Sequence, residues 1–425
     1  MCVRPVSLSA RPHADGSGPA HGTAEETKGS FMGTRYRHDQ AQLGLLAGAA
    51  AQAEDVRDAW DAARLTQARL LAGLTKQEVA QELGVSPAAV GQWEAGVRPP
   101  PAEHIAGLAR VLAVPVAFFR IGRPQVRVNA ACAHFRSLRA TRHYQRDKAI
   151  AFVEQLWELT HAIERRIELP PVGVPGLVHG ERTSEKVPTE PGEAARFVRS
   201  AWDIPLGPFP HLVRTLENHG VVVSQVPFAG EDTARIDAFS TSRLTRPLVV
   251  TTPDGAGDVL RHRFTVAHEL GHLVLHHDAQ PGAPQQEREA NAFAAELLMP
   301  AAKIEDQLPR RLRLGALRPL AEVWGVSPQA LIHRARELGL VTELAARRAC
   351  QRCQVQQAAG TLRAEPIAVY RGETPVLLRR AFELAERHSL LTLDDLAYEL
   401  AWDVARVRLL LGLEDARPHL TLVGD

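Results

Sequence analysis

Cysteine is scarce in this chain, with four among 425 residues, too few for a fold held together by disulfide bonds. Long apolar runs are also missing, since none approaches the roughly 20 residues that a membrane-spanning helix needs. The first residues, MCVRPVSLSARPHADGSG, contain no continuous apolar core of the secretory type. These absences exclude a disulfide scaffold and predict a cytoplasmic protein that has no membrane partner.

An excess of charge of one sign is missing as well, because 50 Lys and Arg residues are balanced by 49 Asp and Glu residues. A net charge of +1 neither supports nor excludes nucleic-acid binding, since a small basic face can exist within a neutral chain. The length fits about two to four domains. The 18 histidines justify a search for a metal site.

Composition and periodicity divide the chain into six segments. The polar, glycine-rich start predicts a disordered tail. Three short runs rich in Val, Thr and Phe predict strands at 220–228, 236–244 and 246–254. The predicted segments are a tail at 1–45, a helical domain at 56–122, a connector and linker at 123–192, a mixed α+β domain at 193–300, a helical extension at 301–348 and a helical module at 365–425.

The segment 74–100, LTKQEVAQELGVSPAAVGQWEAGVRPP, predicts two short helices joined by a sharp turn. Gly84 permits the turn, Ser86 is a good N-cap, and Pro87 is a good first residue for the second helix. This geometry lets the second helix lie in the major groove of DNA. A helical hairpin used only for packing or dimerisation is the alternative.

Together with HIAGLARVLAVPVAFF at 104–119, this segment resembles the Cro/C1-type (XRE) helix-turn-helix family. The resemblance implies a homodimer that binds a palindromic operator in double-stranded DNA. It places Ala88, Ala89 and Gln92 at the base-facing positions, of which Gln92 alone can pair with an adenine edge through two hydrogen bonds. The expected phosphate contacts are Arg69, Lys76 and Arg98.

A second motif lies in RHRFTVAHELGHLVLHH at 261–277. His268, Glu269 and His272 form the pattern H-E-x-x-H, and on a helix the two histidines share one face, so both can bind one Zn²⁺. Glu269 lies beside the open position of the metal, where it can take a proton from zinc-bound water.

The third zinc ligand must come from elsewhere. His276 does not fit, because the metzincin pattern needs Gly at 275 and His at 278, where this chain has Leu and Asp. The next predicted helix, QEREANAFAAELLMP at 286–300, offers Glu287 and Glu289, which point about 200° apart around the helix axis. We favour Glu287, because Asn291 follows it on the same face and could orient a zinc-bound histidine.

The pair AHELGH and EREANAFAAELLMP resembles the ImmA/IrrE family of metallo-endopeptidases over about 190–300. The resemblance implies a gluzincin-like zinc site with Glu269 as general base, and some members of the family cleave DNA-bound repressors. A degenerate domain that binds zinc or a ligand without cleaving anything is the alternative. An extended peptide would bind at a sheet edge, and the strand at 236–244 or the strand at 246–254 is the expected edge.

Two weaker signals lie near the carboxyl end. Cys350 and Cys353 form a C-x-x-C pair. A structural zinc site would need a second pair of ligands of this kind, so we interpret the two cysteines as incidental thiols. The segment 374–412 looks like a degenerate helix-turn-helix, which could bind DNA or act as a dimerising module.

The predicted fold class is mainly α and multidomain. An all-α helix-turn-helix domain precedes an α+β zincin-like domain with a small sheet and an H-E-x-x-H helix, and a helical module follows. The predicted function is a DNA-binding transcriptional regulator with a zinc-dependent endopeptidase domain that cleaves a repressor or partner regulator in a stress or mobile-element response. The alternatives are a non-enzymatic transcription factor that senses a ligand or partner, and the antitoxin of a toxin–antitoxin pair.

Overall fold

The structure is a computed structural model, and most of the chain after residue 51 is described in it. The described residues are 52–128, 134–135, 143–178, 181–183, 185–225, 238–251, 258–277, 283–360, 364–365 and 370–413. The predicted tail at 1–45 lies outside them. Within these residues, no helix has the length and apolar character needed to cross a membrane.

Helices dominate, and two small sheets lie among them. The helices are α1 (Ala62–Ala72), α2 (Lys76–Leu83), α3 (Pro87–Glu94), α4 (Ala102–Val111), α5 (His143–Glu164), α6 (Pro191–Ala201), α7 (Leu212–Asn218), α8 (Val259–Leu275), α9 (Pro284–Leu298), α10 (Ala301–Ile304), α11 (Leu314–Trp324), α12 (Pro328–Glu337), α13 (Glu343–Ala358), α14 (Leu377–Arg387), α15 (Leu393–Leu400) and α16 (Val404–Leu411). The strands are β1 (His134–Phe135), β2 (Leu177–Val178), β3 (Glu181–Arg182), β4 (Val222–Gln225), β5 (Ala238–Thr241) and β6 (Leu248–Thr251).

Local signals in the sequence set the ends of α2 and α3. Thr75 and Glu78 form a reciprocal capping box at the start of α2. Gly84 ends α2 in the left-handed conformation with a φ of 67°, and the Ser86 side chain accepts a hydrogen bond from the Ala89 amide at the start of α3. The predicted pair of helices with a sharp turn is therefore present.

Helix α5 lies within the segment 123–192 that was predicted as a connector and linker, and it contributes to the first of two apolar cores. Its buried residues belong to the same apolar core as those of α1–α4 and those of α14–α16. A buried ionic group also joins α5 to α1: Arg64 pairs with Glu158, and Gln67 donates to Glu158 over 3.0 Å. The amino-terminal helices and the carboxyl-terminal module therefore share a core.

The larger sheet has the strand order β1-β5-β6-β4. Strand β4 pairs with β6 in parallel, whereas β5 pairs antiparallel with both β6 and β1. The expectation that the strand at 236–244 or the one at 246–254 forms the sheet edge is wrong for the described strands. The reason is that β1, more than a hundred residues earlier in the chain, pairs with β5, and β4 pairs with β6.

The second core surrounds α8 and α9, with residues from α6, α7, α11, α12 and α13. Helices α8 and α9 approach closely at Gly271, where a Cβ atom would lie 3.0 Å from Phe293 Cδ1 and 3.2 Å from Ala290 Cα. This approach brings the first turns of α9 against the H-E-x-x-H segment. The mainly α architecture, with a helix-turn-helix before an α+β domain, is as the sequence predicted.

Candidate functional site

The H-E-x-x-H residues lie in the middle of α8, whose start is capped by Asp258. The Asp258 side chain accepts hydrogen bonds from the amides of Leu260 and Arg261. His268 and Glu269 are fully buried, and His272 is 1% exposed. The helix therefore holds these side chains inside the domain, in a place from which most water is excluded.

His268, His272 and Glu287 are brought together as the sequence predicts. The two Nε2 atoms of the histidines lie 3.1 Å apart, and a different oxygen of Glu287 lies 3.5 Å from each of them. One ligand atom from each residue falls within 4.8 Å of the others, and among the residues that the structure describes this is the one such group of three. Two imidazole nitrogens and one carboxylate oxygen are a donor set that suits zinc.

The protonation states of these side chains also fit a metal. Burial lowers the pKa of His272 to about 4, so at neutral pH its imidazole is uncharged and keeps a lone pair for a cation. Burial acts to raise the pKa of Glu287, but the adjacent imidazoles of His268 and His272 outweigh it and hold that pKa well below its usual range. Glu287 is therefore a carboxylate.

Side chains outside the triad orient both histidines. Asn291 Oδ1 accepts a hydrogen bond from His268 Nδ1 over 3.0 Å, which is the role expected of Asn291. His272 Nδ1 lies 3.0 Å from Nδ1 of His276, whose Nε2 donates to Glu289 Oε2 over 2.8 Å. His276 and Glu289, which were set aside as ligands, thus form a hydrogen-bonded series that ends at His272. The four-residue spacing between His272 and His276 was a signal for their contact, because residues four apart on a helix are neighbours.

Glu269 has a partner that sequence reasoning missed. The Ser240 hydroxyl, on β5, donates to Glu269 Oε2 over 2.7 Å. Both residues are fully buried, so the bond fixes the direction of the carboxylate. A serine on a strand next to the metal helix is too common for the sequence alone to identify it.

The candidate DNA-reading positions lie on α3. Ala88 and Gln92 are exposed and Ala89 is partly exposed, whereas Val90 and Trp93 on the opposite side are buried in the first core. Helix α3 therefore presents Ala88 and Gln92 outward, whereas Ala89 also packs against the first core.

The predicted phosphate contacts have different environments. Arg98 is exposed. The Lys76 side chain is 47% exposed, with Nζ 3.1 Å from Glu94 Oε2. Arg69 is nearly buried, pairs with Glu94 at 2.5 Å and donates to the Leu74 carbonyl over 2.9 Å, so it braces the helix-turn-helix and does not point towards a phosphate.

Comparison with known families finds a match for each of the two domains. Residues 65–119 match the helix-turn-helix family model, and residues 216–336 match the model of the IrrE N-terminal-like domain, a peptidase family. The second match includes α11 and nearly all of α12, so it extends into the predicted helical extension. A search of the curated proteins finds no match to this chain.

Proposed function

We propose that this chain, which joins an XRE-type helix-turn-helix to an IrrE-like peptidase domain, is a transcriptional regulator with a zinc-dependent endopeptidase activity. The observation that carries the proposal is the convergence of His268, His272 and Glu287 beside Glu269. Each of these four residues is of a type that has a role in zinc-dependent hydrolysis.

In the proposed site, His268, His272 and Glu287 hold the ion. A bound zinc ion would supply Lewis acidity for the attack of water on a peptide carbonyl group. Glu269 accepts the proton of the attacking water and passes it to the leaving amine. Ser240, through its 2.7 Å hydrogen bond, keeps one carboxylate oxygen fixed so that the other is directed at the reacting water.

The proposed partners are an operator in double-stranded DNA and a protein substrate that is itself a regulator. Gln92 would read a base edge, while Lys76 and Arg98 would contact phosphates. A homodimer would match the two halves of a palindromic operator. Binding near a DNA-bound repressor raises the local concentration of that repressor, so slow cleavage could still be selective.

Metal analysis combined with a cleavage assay tests the proposal. We expect about one zinc per chain, lost in His268→Ala and His272→Ala. Glu269→Gln should keep the zinc and abolish cleavage of candidate repressors, because amide and carboxylate have the same shape but the amide accepts no proton. If His272→Ala holds as much zinc as the unmodified chain, the ion does not bind at this site.

A comparison in cells separates the peptidase from a non-enzymatic sensor. Cells that carry the unmodified chain or Glu269→Gln at equal abundance should differ in transcription of the target genes under stress. Identical responses would show that proteolysis is not the mechanism and that the domain acts as a sensor.

A further inference from the structure

Strand β5 carries the serine that contacts the metal centre. The Ser240 hydroxyl donates to Glu269 Oε2 over 2.7 Å, and Glu269 is the proposed general base. One side of β5 pairs with β6 over four residue pairs. The opposite side of β5 is therefore the place where a further strand can lie beside the metal helix.

An extended peptide substrate needs a place of this kind. A peptide that joins a sheet as an added strand is held along its main chain by hydrogen bonds to the neighbouring strand. On the side of β5 opposite β6, such a peptide would pair with the strand that carries Ser240. This side of β5 is thus the expected position of a peptide substrate.

In this structure the chain's own strand β1 takes that position. Strand β1 pairs antiparallel with β5, with His134 opposite Ser240 and Phe135 opposite Phe239. The strand order β1-β5-β6-β4 makes β1 the outer neighbour of β5. A substrate peptide cannot pair with β5 at these two residues while β1 is there, because the backbone groups that it would use already have partners.

The pairing between β1 and β5 is also short. It comprises two residue pairs, and in an antiparallel ladder only one of two successive pairs is hydrogen-bonded. The pairings of β5 with β6 and of β6 with β4 comprise four residue pairs each. Strand β1 can therefore leave the sheet without disrupting the three strands that remain.

The chain before β1 is tied to the first core. The Val128 amide donates to Glu154 Oε1 of α5 over 3.2 Å, and Gln67 of α1 donates to Glu154 Oε2 over 3.4 Å. His134 lies six residues after Val128, a reach of at most about 20 Å. A segment on so short a tether has an effective concentration of about a millimolar, so a free peptide must compete with it.

We propose that β1 is an internal strap, which blocks the peptide-binding side of β5 until it is displaced. The proposal rests on the proposed function, since the strap regulates the access of a peptide to that metal centre. Through Glu154, the tether of the strap is connected to α1 of the helix-turn-helix domain.

The test measures the affinity of the full-length chain for a labelled synthetic peptide by fluorescence polarisation. The peptide has the sequence of residues 133–141, AHFRSLRAT, so it can pair with β5 as β1 does. All chains carry Glu269→Gln, which keeps the peptide intact and makes the measurement independent of proteolysis. Three chains are compared, with unmodified β1, with His134→Pro and with Phe135→Pro.

The two proline variants are matched controls for each other. Alternate residues of an antiparallel strand direct N–H and C=O towards the partner, so one of His134 and Phe135 bonds to β5 and the other points away. Proline removes the N–H. The variant at the bonded position should release β1 and bind the peptide about tenfold tighter, whereas the other variant should bind it as weakly as the chain with unmodified β1.

Hydrogen exchange identifies the released variant independently of the peptide. One of the amides of Phe239 and Ser240 faces β1, and that amide should exchange faster in the released variant only. Equal peptide affinity in all three chains would overturn the proposal.

Chains that keep Glu269, loaded with zinc, separate the strap from the proposed function. Tighter peptide binding in the released variant, with no cleavage by any chain, would support the strap and refute the peptidase. Cleavage of a repressor at equal rates by the released and unmodified chains would refute the strap and support the peptidase. Cleavage of the unmodified chain at its own β1, detected by mass spectrometry, would also overturn the strap, because β1 would then be a substrate.

Discussion

Gly271 controls how closely the two helices of the metal centre approach, and Gly271→Ala tests that control. A Cβ atom at this position would lie 3.0 Å from Phe293 Cδ1 and 3.2 Å from Ala290 Cα, closer than ordinary van der Waals contact. Phe293 is buried and Ala290 contributes backbone, so neither can turn aside at low cost. We therefore expect α9 to shift by a few tenths of an ångström.

The magnitude follows from two opposing contributions. Overpacking in a dense core costs about 1–3 kcal/mol, whereas alanine in place of glycine within a helix stabilises by roughly 0.5–1 kcal/mol. The free energy of unfolding should therefore fall by about 1 kcal/mol. Because α9 carries Glu287 and Asn291, zinc affinity should fall about tenfold, the lower end of what a displaced orienting group costs.

Gly91→Ala is the matched control. Gly91 lies within α3, and a Cβ atom there would meet nothing within 4 Å, so the substitution should stabilise by the helix contribution alone. Urea unfolding followed by circular dichroism, and zinc competition against a chelator, measure the two effects. If Gly271→Ala is as stable as Gly91→Ala and keeps its zinc affinity, the close approach of α8 and α9 does not constrain the site.

Three further predictions concern the orienting residues, DNA and pH. Asn291→Ala should weaken zinc binding about 10–100-fold. Glu289→Ala should weaken it less, because Glu289 contacts His276 and not a zinc ligand. Equal losses of zinc affinity in chelator competition would contradict this order. Gln92→Ala should cost about 1–3 kcal/mol of sequence discrimination, whereas Arg98→Ala should weaken specific and non-specific binding alike and flatten the salt dependence; no DNA binding even at low salt would refute the assignment. Burial raises the pKa of Glu154 from 4.5 to about 7. Between these two pH values the folded chain keeps a proton that the unfolded chain releases. The free energy of unfolding should therefore fall as pH rises from about 4.5 to 7. In urea titrations across that range, Glu154→Gln should gain stability over the unmodified chain by up to ~3 kcal/mol, and a constant difference would show that Glu154 does not titrate there.

Features that depend on neighbours within a few residues could be predicted from the sequence. Ser86, Pro87 and Gly84 act on the helix ends beside them, so the turn and both helices were predictable. The spacing of His268 and His272 fixes their common face in the same way. The choice of Glu287 over Glu289 also rested on spacing, with Asn291 on the same face.

Features that depend on distant partners could not be predicted in this way. The pairing of β1 with β5, and the hydrogen bond from Ser240 to Glu269, join segments that no periodicity relates. The hydrogen-bonded series from Glu289 through His276 to His272 could not be predicted, because it depends on where α9 lies against α8. Arg69 resembles a phosphate contact in the sequence, but the position of Glu94 in the folded bundle gives it another partner.

Helices α2 and α3 show the division most clearly. Caps and turn residues determined, by local chemistry, that both helices and the turn between them form. Which face of α3 stays exposed was decided only by tertiary packing, because burial depends on which other segments pack against a helix. In this chain α3 buries Val90 and Trp93 in the first core and leaves Ala88 and Gln92 exposed.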